Sequence, residues 1–329
     1  MLEHGGNLRA AAHAYGRPVA DWLDLSAGLN PHWYPAPALE AKAWHRLPEV
    51  DDALLDAACA FYGAPLMLAV AGTQAAIQAL PHLRAPSRVV VAAPSYAEHA
   101  HHWRRHGHTL REVPYADLEA TVDTCDVLVV CNPNNPTGAT IPAATLLAWA
   151  GKLAARGGWL IVDEAFADTA PQQSVAAHSA QDGLIVLRSL GKFFGLAGVR
   201  VGFAGAAPAL LDQLADWLGP WTVSGPAQQV ARAALSDFSW HRATRARLAL
   251  DGERLRTLLA LHGIASHGTD LFQWWPEPEA VALHAHMAER GIWVRLFTSG
   301  AGGIRLGLPP DEAAWGRLAH SLNDWTRRT

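Results

Sequence analysis

Lysine is scarce in this chain of 329 residues: Lys42, Lys152 and Lys192 are all it has. Any chemistry that needs a lysine amine therefore has few candidates. Cysteine is equally scarce. Cys59, Cys125 and Cys131 contain no CxxC pair, which excludes zinc-ribbon, redox-dithiol and disulfide-framework readings and fits a reducing, cytoplasmic compartment. No segment approaches about 20 uninterrupted apolar residues, so no membrane span is expected. The opening Met1-Leu2-Glu3-His4-Gly5-Gly6 has no basic stretch running into an apolar one, and it does not read as a secretory signal. The arginines form no basic tract and the formal net charge is -4, so neither a nucleic acid nor a membrane surface is an expected partner. Internal repeats and long low-complexity linkers are also missing.

Half of the residues are hydrophobic, enough for a large core and a second, smaller domain. The stretch up to about Pro37 is rich in Gly, Pro and Asn and reads as an arm or loop. Short β-branched runs follow at 88–93, 127–131, 159–162 and 184–187, separated by helical patterns such as 141–155. Strands alternating with helices predict an α/β fold, a mainly parallel central sheet with helices on both faces. Polar residues gather just after the carboxyl ends of these strands, where open α/β sheets bind ligands. A long helical pattern over 227–262 and strand-like runs at 292–296 and 304–308 predict a smaller α+β domain. The expected division is an arm over 1–36 that packs with the small domain, a large domain over 37–225 and a small domain over 226–329, with the break near Gly225-Pro226.

Three strings carry chemistry. Asn132-Pro133-Asn134-Asn135-Pro136-Thr137-Gly138 follows a strand and precedes a helix; as a bare loop it is merely rich in turn formers. Asp163-Glu164-Ala165-Phe166 follows another strand, where an acid is also a common helix cap. Ser189-Leu190-Gly191-Lys192-Phe193-Phe194-Gly195-Leu196-Ala197-Gly198-Val199-Arg200-Val201-Gly202 follows a third and contains one of the few lysines. Together they resemble the NPxNPTG, DEAY/DEAF and S-x-x-K-x-x-G-x-x-G-x-R-x-G elements of the fold-type-I aminotransferases, which use pyridoxal 5′-phosphate. The resemblance implies that Lys192 carries the cofactor as a Schiff base and that Asp163 pairs with its pyridinium nitrogen, where a buried carboxylate favours the charged ring. It further implies that Asn135 donates to the phenolic oxygen and that Ser189 and Arg200 bind the phosphate, an Arg fork suiting a dianion. Gly72 and Thr73, in Gly72-Thr73-Gln74 ahead of a helical pattern, match the family's phosphate turn. Tyr96 matches the aromatic residue stacked on the ring, and His99 matches a residue that supports the aspartate in some relatives. Phe166 stands where many aminotransferases have Tyr, and Gly191 where a hydroxyl residue is common. His99, His101, His102, His106 and His108 show no HExxH spacing, and no metal is expected. Gly300-Ala301-Gly302-Gly303-Ile304-Arg305 begins like a dinucleotide fingerprint, but Arg305 occupies the third Gly position.

Within that family, His4-Gly5-Gly6-Asn7 and Leu25-Ser26-Ala27-Gly28-Leu29-Asn30-Pro31 resemble the start of the threonine-phosphate decarboxylases of cobalamin biosynthesis. This implies a small substrate with a carboxylate for Arg305, a phosphate for Arg295, and His4 closing over that phosphate. It also implies a homodimer. Leu47 stands where many relatives place a Tyr that reaches the partner subunit's cofactor phosphate, and Gly28 where some decarboxylases have Asn. A histidinol-phosphate-type aminotransferase shares the core strings and is the alternative enzyme reading; a catalytically silent pathway partner of the same fold is the non-enzyme one.

Overall fold

The computed structural model describes residues 5–298 and 302–327. The chain divides into two compact units. The larger is formed by Trp33–Asn135 and Ala139–Ala243, the smaller by the described residues of Met1–His32, Pro136–Gly138 and Thr244–Thr329.

The larger unit is built on a seven-stranded sheet: β1 (Leu68–Val70), β2 (Arg88–Ala93), β3 (Thr109–Pro114), β4 (Val127–Cys131), β5 (Trp159–Asp163), β6 (Leu184–Ser189) and β7 (Gly202–Gly205). Their order across the sheet is β1-β7-β6-β5-β4-β2-β3. The pairs from β3 through β6 are parallel, and β7 runs antiparallel to both β6 and β1. The expected mainly parallel sheet is therefore present. Every residue of β4 is buried, because helices cover both faces and leave no side of the strand to water. At the edge, β3 is mostly exposed and buries Val113 alone; its Thr-Leu-Arg-Glu-Val sequence carries too little apolar pattern to stand out as a strand.

The smaller unit holds a four-stranded antiparallel sheet of β8 (His267–Thr269), β9 (Phe272–Pro276), β10 (Arg295–Phe297) and β11 (Gly303–Gly307), ordered β10-β11-β9-β8. The single strand expected over 292–296 is two pieces. Ile292–Trp293 pairs in parallel with Leu23–Asp24, and β10 begins after the buried Val294 on a different sheet. The arm is not all loop: Leu8–Tyr15 is a helix, started by Asn7, whose side chain accepts from the Ala10 N–H at 3.3 Å, and ended by Gly16 in a left-handed conformation. Its Ala-rich sequence favours the helix.

The Gly225-Pro226 pair read as a break starts a helix, Gly225–Ser236, capped by the Ser224 side chain. Pro at the first helical turn is a start signal as much as a linker signal. The long helical pattern beyond it breaks once, at Asp237, whose carboxylate accepts from the Trp240 N–H at 3.0 Å to begin Phe238–Leu261. Ala243 and Thr244, where the two compact units divide, both lie within that second helix. No helix among the described residues is long and apolar enough to cross a membrane.

Candidate active site

The carboxyl ends of β1, β2, β4, β5 and β6, with the approach to β7, deliver cavity residues that the sequence singled out. A cavity of about 130 Å³ in the larger unit is lined by Gly72, Thr73, Tyr96, Asn135, Asp163, Ser189, Lys192 and Arg200, together with Gln74, Cys131 and Phe166. These positions are scattered over more than a hundred residues of sequence. The parallel strands bring them to one edge, as expected of an open α/β sheet.

Asp163 ends β5 with its carboxylate buried. One oxygen accepts from the Ala165 N–H at 3.0 Å and the other from His99 Nε2 at 2.9 Å. Burial alone would lower the pKa of His99, but hydrogen bonds to Asp163 and Cys131 outweigh it and hold the imidazole up at about 10. His99 thus faces the Asp163 carboxylate as an imidazolium. Cys131 was not singled out from the sequence as a site residue. His99, Cys131 and Asp163 place their ligand-type atoms within 4.8 Å of one another, and their hydrogen bonds make a network that fixes Asp163.

Lys192 lines the same cavity, its Nζ 5.3 Å from the centre of the Phe166 ring. Phe166 therefore offers a ring face to the ammonium where a Tyr would also offer a hydroxyl. Tyr96 begins the helix Ala97–Arg105, and its hydroxyl donates to Gln74 Oε1 at 3.2 Å. Burial first, then the charges of Glu98 and Asp163, push the phenol well above its ordinary range. Two other asparagines of the first string are structural: Asn132 closes its loop on the backbone of Ile141, and Asn134 Nδ2 reaches the Pro94 carbonyl at 2.9 Å. This leaves Asn135 to line the cavity.

Gly72 turns with φ +73°, and a Cβ there would lie 2.7 Å from Arg200 Nη2. The missing side chain lets the guanidinium cross the turn ahead of the helix Thr73–Ala79. Arg200 itself takes the left-handed conformation, φ 58°, and Ser189 Oγ accepts from the Gly191 N–H at 3.2 Å. Backbone N–H groups, a hydroxyl and an Arg fork converge there, the donor set a phosphate needs. A phosphate cradle, an amine and a buried carboxylate in one cavity fit pyridoxal 5′-phosphate.

Behind β5 and β6 lies a network that the sequence reading did not isolate. Arg188 pairs with Glu164 and Asp168, all three buried. Glu164 also accepts from the Val175 N–H at 2.7 Å, and the guanidinium lies 4.5 Å from the Tyr62 ring centre. Arg188 directly precedes Ser189 and Glu164 directly follows Asp163, so the network braces two site residues through the backbone.

In the smaller unit, Arg305 on β11 is directly opposite Arg295 on β10. Arg305 Nη2 donates to the Ser26 carbonyl. Burial, and next the positive charge of Arg295, press its guanidinium down to about 9. His4 lies outside the described residues.

Sheet order, cradle, buried acid and amine define a class of protein, and a family model agrees: the description "Aminotransferase class I and II" matches residues 20–321. The chain belongs to that family. It is 55% identical to the threonine-phosphate decarboxylase of Pseudomonas aeruginosa over 98% of this chain and 97% of that protein. With the threonine-phosphate decarboxylase of a Sinorhizobium species it shares 43% identity over 98% of this chain and 97% of that one. Among solved structures, the histidinol-phosphate aminotransferase of Sinorhizobium meliloti in complex with pyridoxal-5′-phosphate superposes with a TM-score of 0.81 at 23% identity, covering 98% of this chain and 95% of that one.

Proposed function

We propose that this chain decarboxylates L-threonine O-3-phosphate to (R)-1-amino-2-propanol O-2-phosphate in cobalamin biosynthesis, with pyridoxal 5′-phosphate as cofactor. The observation that carries the chemistry is the cavity in which the Lys192 amine and the Asp163 carboxylate share one wall-to-wall space. Near-complete alignment with two threonine-phosphate decarboxylases supports the substrate.

Lys192 would hold the cofactor covalently, Asp163 its ring nitrogen, Tyr96 its ring face and Asn135 its phenolic oxygen. Gly72, Thr73, Ser189 and Arg200 would hold its phosphate. Bound there, the cofactor supplies an electron sink for the pair left on Cα when CO₂ departs. His99 holds the Asp163 carboxylate in position through its hydrogen bond, and a carboxylate there would favour a proton on the ring nitrogen. Arg305 takes the substrate carboxylate, Arg295 its phosphate, and His4 closes over that phosphate. Gripping the carboxylate decides which Cα bond is turned for cleavage, and so separates decarboxylation from transamination. Lys192, when not bonded to the cofactor, would be an ammonium that can donate a proton to Cα and so become the neutral amine.

A homodimer is part of the same reading. Trp44, Leu47, Val50 and Trp221 expose large apolar side chains on the larger unit, and a second copy would cover them. The three cysteines are free, in keeping with a cytoplasmic enzyme.

The test supplies purified protein with L-threonine O-3-phosphate alone. CO₂ release without any 2-oxo acid is the expected result. Strict dependence on 2-oxoglutarate would replace this reading with transamination. Sedimentation at micromolar concentration should give twice the 35.3 kDa chain mass.

A further inference from the structure

The four-stranded sheet lines up three side chains on one face. Trp274 on β9 is directly opposite Arg305 on β11, which is directly opposite Arg295 on β10. Directly paired residues of antiparallel strands project to the same side. A further geometric mark agrees: a Cβ on Gly303, two residues before Arg305 and so on its face, would stand 3.1 Å from Trp274 Nε1. The indole N–H therefore lies over β11 beside the Arg305 side chain.

Trp274 is 6% exposed, and its Nε1 meets no acceptor among the described residues. A buried donor left without an acceptor is costly, and native proteins keep few of them. The two arginines are set against aromatic rings, with the Asp24 carboxylate also acting on Arg305. Arg305 Cζ lies 5.3 Å from the Phe272 ring centre and Arg295 Cζ 5.2 Å from that of Phe297. Two guanidiniums on neighbouring strands repel, and an anion set against them relieves the repulsion. An oxygen placed there can accept from the indole as well as from Arg305.

We propose that Trp274 is a further substrate-binding residue, its indole N–H donating to the carboxylate that Arg305 binds. This rests on the reading of the substrate as an amino acid bearing both a carboxylate and a phosphate. A neutral donor beside a cation adds selectivity: it accommodates an acceptor oxygen and leaves an apolar group with an unmet N–H. Trp274 thus distinguishes substrate from product, because the product keeps the phosphate and has lost the carboxylate.

The experiment compares wild type with W274F in the holoenzyme. The variant should raise KM for L-threonine O-3-phosphate about tenfold, the ~1.4 kcal/mol step of one hydrogen bond to a charged acceptor. It should leave kcat within about twofold and leave both the cofactor absorbance and the inhibition constant of the product unchanged. W274H, which retains a ring N–H, should recover part of the affinity. A merely structural role would move product affinity and cofactor absorbance along with KM, and would overturn the inference. So would an unchanged KM, or equal weakening of substrate and product. Should W274F not fold, the indole ¹⁵N–H resonances of wild type decide: one must shift downfield on adding L-threonine O-3-phosphate and not on adding product. Wild type that releases no CO₂ would count against the decarboxylase reading instead, and the same indole spectrum with L-threonine O-3-phosphate would still judge Trp274.

Discussion

The Ser26 carbonyl accepts a hydrogen bond from Arg305 while lying against Gly5, where a Cβ would come within 2.4 Å of it. Ser26 Oγ completes the contact by accepting from the Gly6 N–H at 2.7 Å, and Asp24 fixes the hydroxyl at 2.6 Å. Two sequence features, the HGGN start and the Leu-Ser-Ala-Gly segment, thus meet at the arginine assigned to the substrate carboxylate. His4 is the immediate chain neighbour of Gly5.

Gly5→Ala tests that meeting. A methyl has no room against the carbonyl, and overpacking of this kind costs about 1–3 kcal/mol. The arm is expected to leave Ser26, raising KM for L-threonine O-3-phosphate about tenfold while the denaturation midpoint and cofactor absorbance stay near wild type. Steady-state kinetics with a parallel thermal melt read both. An unaltered KM would detach the arm from substrate binding.

Asp163→Asn removes the charge that holds the ring-nitrogen proton and keeps the shape. Loss of a preorganised electrostatic contact of this kind costs about a hundredfold to a thousandfold in rate. The expected variant still reacts at Lys192 and gives a borohydride-fixed product there, with kcat down by that factor. Lys192→Ala should give neither the fixed product nor CO₂. A variant of Asp163 with full activity would remove the carboxylate from the mechanism.

The parts of this site that were legible in the sequence share a physical feature. Asn135, Asp163, Ser189, Lys192 and Arg200 each lie in a contiguous string directly after a strand, so order along the chain reports position in space. Cys131 and Trp274 carry no such signal, because their roles come from register across strands: β4 against β5, and β9 against β11. The carboxylate partners of Arg188 depend on how the loop after β5 folds back. Boundaries suffered for a different reason. Gly-Pro starts a helix as readily as it makes a linker, and one buried valine, Val294, separates strands of two sheets inside what reads as one run.

Arg188→Met tests the bracing network behind the site. The substitution keeps apolar volume and leaves Glu164 and Asp168 buried against each other without the guanidinium. Breaking a buried pair in this way destabilises by about 3–5 kcal/mol. Denaturant unfolding should show that loss, and the triple replacement Arg188→Met, Glu164→Gln, Asp168→Asn should recover much of it. Equal stability of wild type and the single variant would mean that the network contributes nothing net.

The His99–Asp163 pair gives folding stability a defined dependence on pH. The imidazole titrates near 6.5 in an unfolded chain and is held at about 10 in the folded one. A raised pKa means that the folded state binds the proton more tightly, so the contribution is complete below about pH 6.5 and fades as pH rises toward 10. His99→Gln keeps a donor for Asp163 and cannot titrate. The stability gap between wild type and this variant, taken from denaturant midpoints at a series of pH values, should therefore be widest at pH 6 and shrink steadily up to pH 10. Below the unfolded value it should be flat. A gap that widens with rising pH would require a neutral imidazole in the folded protein. Asp163 would then be held by neutral hydrogen bonds alone, from Ala165 and His99, and the charged His99–Asp163 pair would have to be abandoned.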